Sequence, residues 1–310
     1  MKWKRPGKKD QGDVIDIRGA EPSRGGGRAG GGLGGLPIPM GAGGVGGGLG
    51  LVILLVVVGL QMCGNGGTGF DLGSILGPGA VPPSADDPQP LPEDQDPQKD
   101  LKDFSSAVFI DAQNTWDSSF KSAGKQYEDA KLVLYAQAVN TGGCGSATSA
   151  VGPFYCPADS KVYLDLSFYE DMERQLGAKG DFAWAYVIAH EVGHHIQNAD
   201  GTNAEVTDLQ RSEPDEANEL SVRTELQADC YAGVWAATVF AEGDLEQGDL
   251  DEAFNASEAV GDDRLQEQAG QEINPDSFTH GTSEQRRTWF EKGYSSADPA
   301  SCDTFSPDEI

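Results

Sequence analysis

The chain has 310 residues and an acidic composition, with 22 Lys or Arg against 50 Asp or Glu and a formal net charge of −28. This balance argues against nucleic acid as a partner, because nucleic-acid-binding proteins cluster Lys and Arg on one face. Basic residues are dense only at the start, where residues 1–28 hold eight Lys or Arg and four Asp or Glu. The strong negative charge is more typical of an exposed, soluble domain.

An apolar stretch follows the basic segment. No charged residue lies between Arg28 and Asp71, and Leu49 to Leu60 is dense in Leu, Val and Ile. A helix over residues 45–63 approaches the roughly 20 residues that a bilayer requires, so we predict one transmembrane helix there. A buried core helix or a cleaved signal peptide is the alternative, although signal peptides begin much nearer the chain start. Basic residues before the span predict a cytoplasmic N-terminus and an extracytoplasmic catalytic domain, in a single-pass protein of the cell membrane.

The composition divides the chain into four predicted segments. Residues 1–44 form a cytoplasmic basic and Gly-rich segment, and residues 45–63 form the transmembrane helix. Residues 64–103, rich in Gly, Pro and acidic residues, are predicted to be a linker because they offer little apolar surface to bury. Residues 104–310 are long enough for a single domain with one core.

The spacing of apolar residues predicts a mostly helical α+β domain with a small β-sheet. Strands are predicted at Lys131–Val139 and Lys161–Leu166, which are joined by a loop over residues 144–156. The first strand is a candidate to hold an extended substrate by main-chain pairing, although an ordinary core strand is the favoured interpretation. Helices are predicted at Phe104–Phe120, Ser167–Leu176, Phe182–Ile196, Asp215–Ala241, Asp249–Ala259 and Ser283–Lys292.

Four cysteines lie in the predicted domain. An even number of cysteines in an exported domain suggests disulfides. Cys144 with Cys156 would close a short Gly-rich loop, which leaves Cys230 to pair with Cys302. Buried free thiols are the alternative if the domain is not exported.

The segment His190-Glu191-Val192-Gly193-His194 carries the H-E-x-x-H pattern of zinc hydrolases. Histidines four apart on a helix lie one turn from each other, with Cβ atoms about 5 to 6 Å apart, so both can bind one Zn²⁺. A catalytic zinc needs three protein ligands and an open position for water, and Glu191 is placed to act as the general base. A solvated helix face is the alternative, but the apolar residues around the motif argue against it.

The third zinc ligand is predicted to come from Glu225-Leu226-Gln227-Ala228-Asp229. Glu225 and Asp229 share one helical face, so Glu225 can bind the metal while Asp229 accepts a hydrogen bond from a ligating histidine. Asp200 is the rival ligand because it lies six residues after His194, as in metzincins. That pattern also requires a Gly and a final His, whereas Gln197 and Asp200 occupy these positions.

Two further histidines complete the set of four. His195 lies about 100° around the helix from His194, so we predict a structural role for it. His280 precedes a predicted helix with Ser283 as a plausible N-cap. It could donate a hydrogen bond to the oxyanion of a tetrahedral intermediate, and loop packing is an equally strong interpretation.

Several long motifs resemble the neutral zinc metallopeptidase family, the YpfJ-like membrane proteins. The resemblance implies Zn²⁺, a zincin-like fold and peptidase activity on a protein or peptide substrate. The Glu225 element is also similar to the third-ligand helix of gluzincins, which supports Glu225 and Asp229. The matching segments are Met1 to Lys4, Gly152 to Pro157, Gly180 to Gln197, Glu225 to Cys230 and Thr279 to Ser283.

The motifs together predict a membrane-anchored zinc metalloendopeptidase. Zinc held by His190, His194 and Glu225 would activate the attacking water, and Glu191 would remove its proton. Two other functions stay open: a membrane-tethered zinc-binding assembly or regulatory factor without turnover, and hydrolysis of an amide outside peptides.

Overall fold

The computed structural model describes residues 1–4, 10–24 and 80–306. The predicted transmembrane helix at residues 45–63 lies outside this part of the chain. Among the described residues, no helix is both long and apolar enough to cross a bilayer. The helices are α1 (Lys99–Ser122), α2 (Phe168–Asp171), α3 (Asp181–Asp200), α4 (Thr202–Ser212), α5 (Ala217–Glu242), α6 (Asp249–Ala259), α7 (Asp262–Gln268) and α8 (Ser283–Ser296).

Short strands flank these helices, so the predicted mostly helical α+β class with small sheets is confirmed. The strands are β1 (Val14–Asp16), β2 (Ser23–Arg24), β3 (Ala80–Val81), β4 (Lys131–Tyr135), β5 (Ala138–Asn140), β6 (Ser146–Thr148), β7 (Phe154–Cys156) and β8 (Lys161–Asp165). A four-stranded sheet has the order β1-β4-β8-β7, with β7 antiparallel to β8 and the other pairs parallel. Two-stranded sheets join β2 to β3 and β5 to β6.

The predicted strand Lys131–Val139 is broken into β4 and β5. Gln137 has a φ of 65°, a left-handed conformation that a continuous strand does not accept. Because β4 is paired on both sides, by β1 and β8, it does not present an edge to a substrate. The two edges of the sheet are β1 and β7, and β7 lies in the segment that the sequence predicted to be a loop.

All six predicted helical segments are present. Asp249–Ala259 has the predicted ends, Ser167–Leu176 continues from α2 into a π-helical turn over Met172–Leu176, and the other four have shifted ends. Helices α4 and α7 were not predicted, because their residues are mostly polar and include few large apolar side chains. The N-cap of α8 is Thr282 instead of Ser283, and its side chain forms a capping box with Gln285.

Helix α3 lies at the centre of the core, and its apolar side chains explain its burial. It crosses α5 at a close contact between Gly193 and Ala228. A Cβ at Gly193 would lie 3.0 Å from the Ala228 carbonyl oxygen. Gly233 of α5 contacts α8, where a Cβ at Gly233 would lie 2.1 Å from the Phe290 carbonyl oxygen. Small residues therefore bring α3 and α8 close to α5 from two directions.

The first residues of the chain pack on this domain. The predicted segments had separated them from it by a transmembrane helix over residues 45–63 and a linker over residues 64–103. The Trp3 ring lies edge-on to Phe104 in α1, with ring centroids 5.6 Å apart. Strand β1 adds to the sheet beside β4, and Ile17 after it is 1% exposed. Arg18 forms buried ion pairs with Asp16 and Asp96, so part of the predicted linker is also in the fold.

Both suggested disulfides are present. Cys144 pairs with Cys156 and thereby ties the β5–β6 hairpin to β7. Cys230 of α5 pairs with Cys302 in the C-terminal segment, which fixes that segment to the helix that carries Glu225.

Candidate active site

Three predicted ligands converge at the crossing of α3 and α5. The ligand atoms of His190, His194 and Glu225 all lie within 4.8 Å of one another. His190 Nε2 lies 3.2 Å from Glu225 Oε2, and His194 Nε2 lies 3.4 Å from Glu225 Oε1. A tetrahedral zinc with bonds of about 2.0 to 2.1 Å keeps its ligand atoms about 3.3 Å apart, so the spacing fits zinc.

The opposite ring nitrogens are both held by hydrogen-bond acceptors. His190 Nδ1 lies 2.8 Å from Asp229 Oδ1, and His194 Nδ1 lies 2.9 Å from Gln197 Oε1. The amide of Gln197 is oriented by its own donation to the Thr224 carbonyl oxygen at 2.7 Å. Both Nδ1 atoms therefore carry protons, and the Nε2 lone pairs face the Glu225 carboxylate. Such an arrangement requires a positive charge between them, either a metal ion or additional protons.

The charges around His190 favour that positive charge. Burial alone would lower the pKa of His190, but the Asp229 charge and hydrogen bonds from Asp229 and Glu225 raise it to about 10. Burial would raise the pKa of Glu225, yet the surrounding histidines lower it well below its usual range. The donor set, two imidazoles and one carboxylate, is one that catalytic zinc sites use.

Asp229 is the centre of a buried polar network behind His190. Its carboxylate accepts hydrogen bonds from Arg286 Nε at 2.8 Å, from Arg286 Nη2 at 3.0 Å and from the Tyr186 hydroxyl at 2.5 Å. The Arg286 side chain is 4% exposed and also lies 3.8 Å from Glu225. Arg286 therefore balances the buried acidic groups next to the cluster, a contribution that the sequence analysis missed.

Glu191 lines the cleft that opens above the cluster. Burial raises the pKa of its carboxyl, and electrostatic interaction with the neighbouring imidazoles of His194 and His190 opposes this change. The cleft has a volume of about 330 Å³. Its walls include Phe154 and Tyr155 of β7, and apolar side chains from several other elements: Phe168, Leu176, Val187, Val206, Val260 and Leu265.

His280 also lines the cleft. Its Nδ1 lies 3.0 Å from the Thr279 hydroxyl and 3.4 Å from Asp262 Oδ1. The other Asp262 oxygen accepts hydrogen bonds from the backbone N–H groups of Thr279, His280 and Gly281 at 2.6, 2.7 and 3.2 Å. Asp262 thus fixes the whole loop and the imidazole that the loop carries.

The two remaining candidates lie away from the cluster. Asp200 accepts hydrogen bonds from the Thr202 backbone and hydroxyl at the end of α3, so the structure does not bring it to the histidines. His195 lies between the Tyr155 hydroxyl and the Glu128 carbonyl oxygen, at 3.0 and 2.8 Å. It connects α3 to β7, which agrees with its predicted structural role.

Two imidazoles and a carboxylate at zinc-binding distance, beside a buried glutamate and an open cleft, are typical of metallopeptidases. The chain belongs to the family described as "Putative neutral zinc metallopeptidase", whose model matches residues 1–305.

Relatives extend this similarity over most of the chain. The chain is 45% identical to "Uncharacterized protein YpfJ" of Escherichia coli (strain K12) over 308 residues, which cover 98% of this chain and 99% of that protein. It is 41% identical to "Uncharacterized protein Rv2575" of Mycobacterium tuberculosis (strain ATCC 25618 / H37Rv) over 222 residues, which cover 68% of this chain and 74% of that protein. No solved structure matches the chain significantly.

Proposed function

We propose that the chain hydrolyses peptide bonds with a zinc ion bound by His190, His194 and Glu225. One observation carries the proposal: the three ligand atoms lie within 4.8 Å of one another, in a cleft that Glu191 also lines. A structural zinc has four protein ligands, whereas a catalytic zinc has three and an open position. Among the described residues, the ligand cluster contains three such groups.

The groups around the cleft have separate roles in hydrolysis. The zinc ion supplies Lewis-acid polarisation of the scissile carbonyl and a lower pKa for the attacking water. Glu191 accepts the proton of that water and passes it to the leaving amine. Nδ1 of His280 faces Thr279 and Asp262. Its Nε2 therefore donates a hydrogen bond to the scissile carbonyl oxygen, which becomes negative in the tetrahedral intermediate.

The cleft favours an extended peptide with an apolar side chain. Strand β7 is at the edge of its sheet in the described part of the chain, and its residues Phe154 and Tyr155 line the cleft. An exposed strand edge pairs with an extended segment through main-chain hydrogen bonds, so the substrate would add beside β7. The predicted apolar segment at residues 45–63 would hold the enzyme at a membrane.

Glu191→Gln tests the catalytic assignment. The substitution keeps the shape of the side chain but removes the base, so we expect bound zinc to be retained and turnover to fall by about 10² to 10⁴-fold. The measurement is cleavage of a mixture of peptides by the purified full chain, with zinc content determined by elemental analysis. A chelator should abolish the cleavage, and added zinc should restore it.

Adjacent histidines of α3 provide a matched control for the metal. His194→Ala should lose zinc, whereas His195→Ala should keep it, because His195 contacts Tyr155 and Glu128 instead of the cluster. Full activity of Glu191→Gln would contradict the proposed mechanism. Zinc binding by the wild type without cleavage of any peptide would instead favour the regulatory function.

A further inference from the structure

The two ends of the segment between residues 24 and 80 are paired with each other. Strand β2 pairs with β3 in antiparallel register, with Arg24 opposite Ala80 and Ser23 opposite Val81. Residues that face each other in such a pair have Cα atoms about 4.5 to 5.5 Å apart. Residues 24 and 80, the two ends of this segment, therefore lie next to each other.

The residues on both sides of this point belong to one folded unit. Ile17 is 1% exposed, and its N–H donates to the Leu134 carbonyl oxygen of β4 at 2.9 Å. On the other side, Ala85 is buried in the same small cluster, and the Pro83 carbonyl oxygen accepts from the Asn140 N–H at 2.7 Å. Main-chain pairing and apolar burial thus hold both ends on the sheet.

Buried charges join the two ends directly. Arg18 Nη1 and Nη2 donate to the two oxygens of Asp96 at 3.1 and 2.5 Å, and both side chains are almost fully buried. The Gly19 N–H also donates to the Gln89 carbonyl oxygen at 2.8 Å. Separation of the two ends would leave these charges without their partners, which is strongly unfavourable.

Bilayer dimensions conflict with a single crossing between these ends. The hydrocarbon core is about 30 Å thick, so one crossing between residues 24 and 80 would place them at least that far apart. The pairing of β2 with β3 permits only an even number of crossings, an entry into one leaflet, or no membrane entry. We propose that residues 1–24 and the domain over residues 80–306 lie on the same side of the membrane. This replaces the predicted arrangement with residues 1–44 and 104–310 on opposite sides.

Labelling of single cysteines tests the proposal in the full-length chain. In a Cys63→Ser background, Lys4→Cys and Lys125→Cys each place one thiol at an exposed position, and the other cysteines form disulfides. Bacterial spheroplasts with an intact inner membrane are treated with a membrane-impermeant maleimide, before and after permeabilisation. We expect both positions to be labelled under the same condition. Labelling of one before permeabilisation and of the other only afterwards would overturn the proposal.

A second measurement tests whether the first residues dock on the domain in solution. Ile17→Asp places a charge in the buried cluster, and Gly12→Asp adds the same charge at an exposed position with nothing within 4 Å of its Cβ. We expect the purified full chain with Ile17→Asp to unfold at a markedly lower temperature than the Gly12→Asp chain. Equal unfolding temperatures would show that the first residues are not docked and would contradict the proposal. Rapid proteolysis of residues 10–24 in the wild-type chain would contradict it as well.

Discussion

At the scale of single residues, the position of His190 depends on a carboxylate that is itself fully buried. Burial would raise the pKa of Asp229, but the charge of Arg286 and the contact with His190 lower it, so the group stays ionised. Arg286 makes two hydrogen bonds to this carboxylate and thereby fixes the orientation of the oxygen that faces His190. A metal site depends on such outer contacts nearly as much as on the ligands.

Arg286→Lys should weaken zinc binding by about 10 to 100-fold, because an ammonium cannot reproduce the two-pronged contact with Asp229. The measurement is competition with a chelator for zinc. Arg287→Lys is the matched control, since Arg287 is the next residue of α8 but pairs with Glu258 at the surface. Equal zinc affinities in the two variants would show that Arg286 is not a positioning residue.

At the scale of elements, α8 delivers Arg286 to the site because it packs very closely on α5. The contact uses a glycine from each helix. A Cβ at Gly293 would lie 1.9 Å from the Cys230 carbonyl oxygen, and one at Gly233 would lie 2.1 Å from the Phe290 carbonyl oxygen. Backbone atoms cannot move aside as a flexible side chain can, so any larger residue separates the helices.

Gly293→Ala should therefore destabilise the fold by about 1 to 3 kcal/mol or more, although alanine is the better helix former. It should also reduce zinc affinity, because a displaced α8 moves Arg286 away from Asp229. Urea unfolding and chelator competition measure the two effects. Glu291→Ala, an exposed position on the same helix, is the control. A Gly293→Ala chain as stable as this control would contradict the close contact.

The same elements show which features the sequence could predict. His190, His194 and the pair Glu225 and Asp229 were identifiable because one helical turn fixes their spacing. Arg286 was not identifiable, because its role depends on the crossing of α5 and α8 and not on its neighbours in the sequence. Helix α4 and strand β7 were missed for a similar reason: short segments acquire their conformation from contacts with the rest of the domain.

At the scale of the whole molecule, the structure joins distant parts of the chain through buried charge. Arg18 lies between Asp16 and Asp96, and Lys102 of α1 lies 3.4 Å from Asp96. Composition alone assigned residues 64–103 to a linker because they contain few large apolar residues. The ion pairs explain why residues near Asp96 are nevertheless part of the fold, since their polar groups find partners inside it.

These ion pairs predict an acid-dependent loss of stability. Burial would raise the pKa of Asp96, but hydrogen bonds from Arg18 and Gln98 and the charges of Arg18 and Lys102 lower it below its usual value. A carboxyl with a lowered folded-state pKa stabilises the fold above its unfolded pKa, about 3.9, and loses that contribution as the pH falls through the folded value.

Asp96→Asn should thus lower the free energy of unfolding at pH 7, by about 1 to 3 kcal/mol, because Arg18 loses a charged partner. The difference from the wild type should shrink as the pH is lowered from 5 towards 2, where protonation removes the same charge from the wild type. Urea unfolding of both zinc-free chains across this range measures the difference and excludes loss of metal as its cause. Asp94→Asn, an exposed position two residues away, should show no such convergence. A gap between Asp96→Asn and the wild type that stays constant with pH would mean that the charge of Asp96 does not hold the first residues of the chain on the domain.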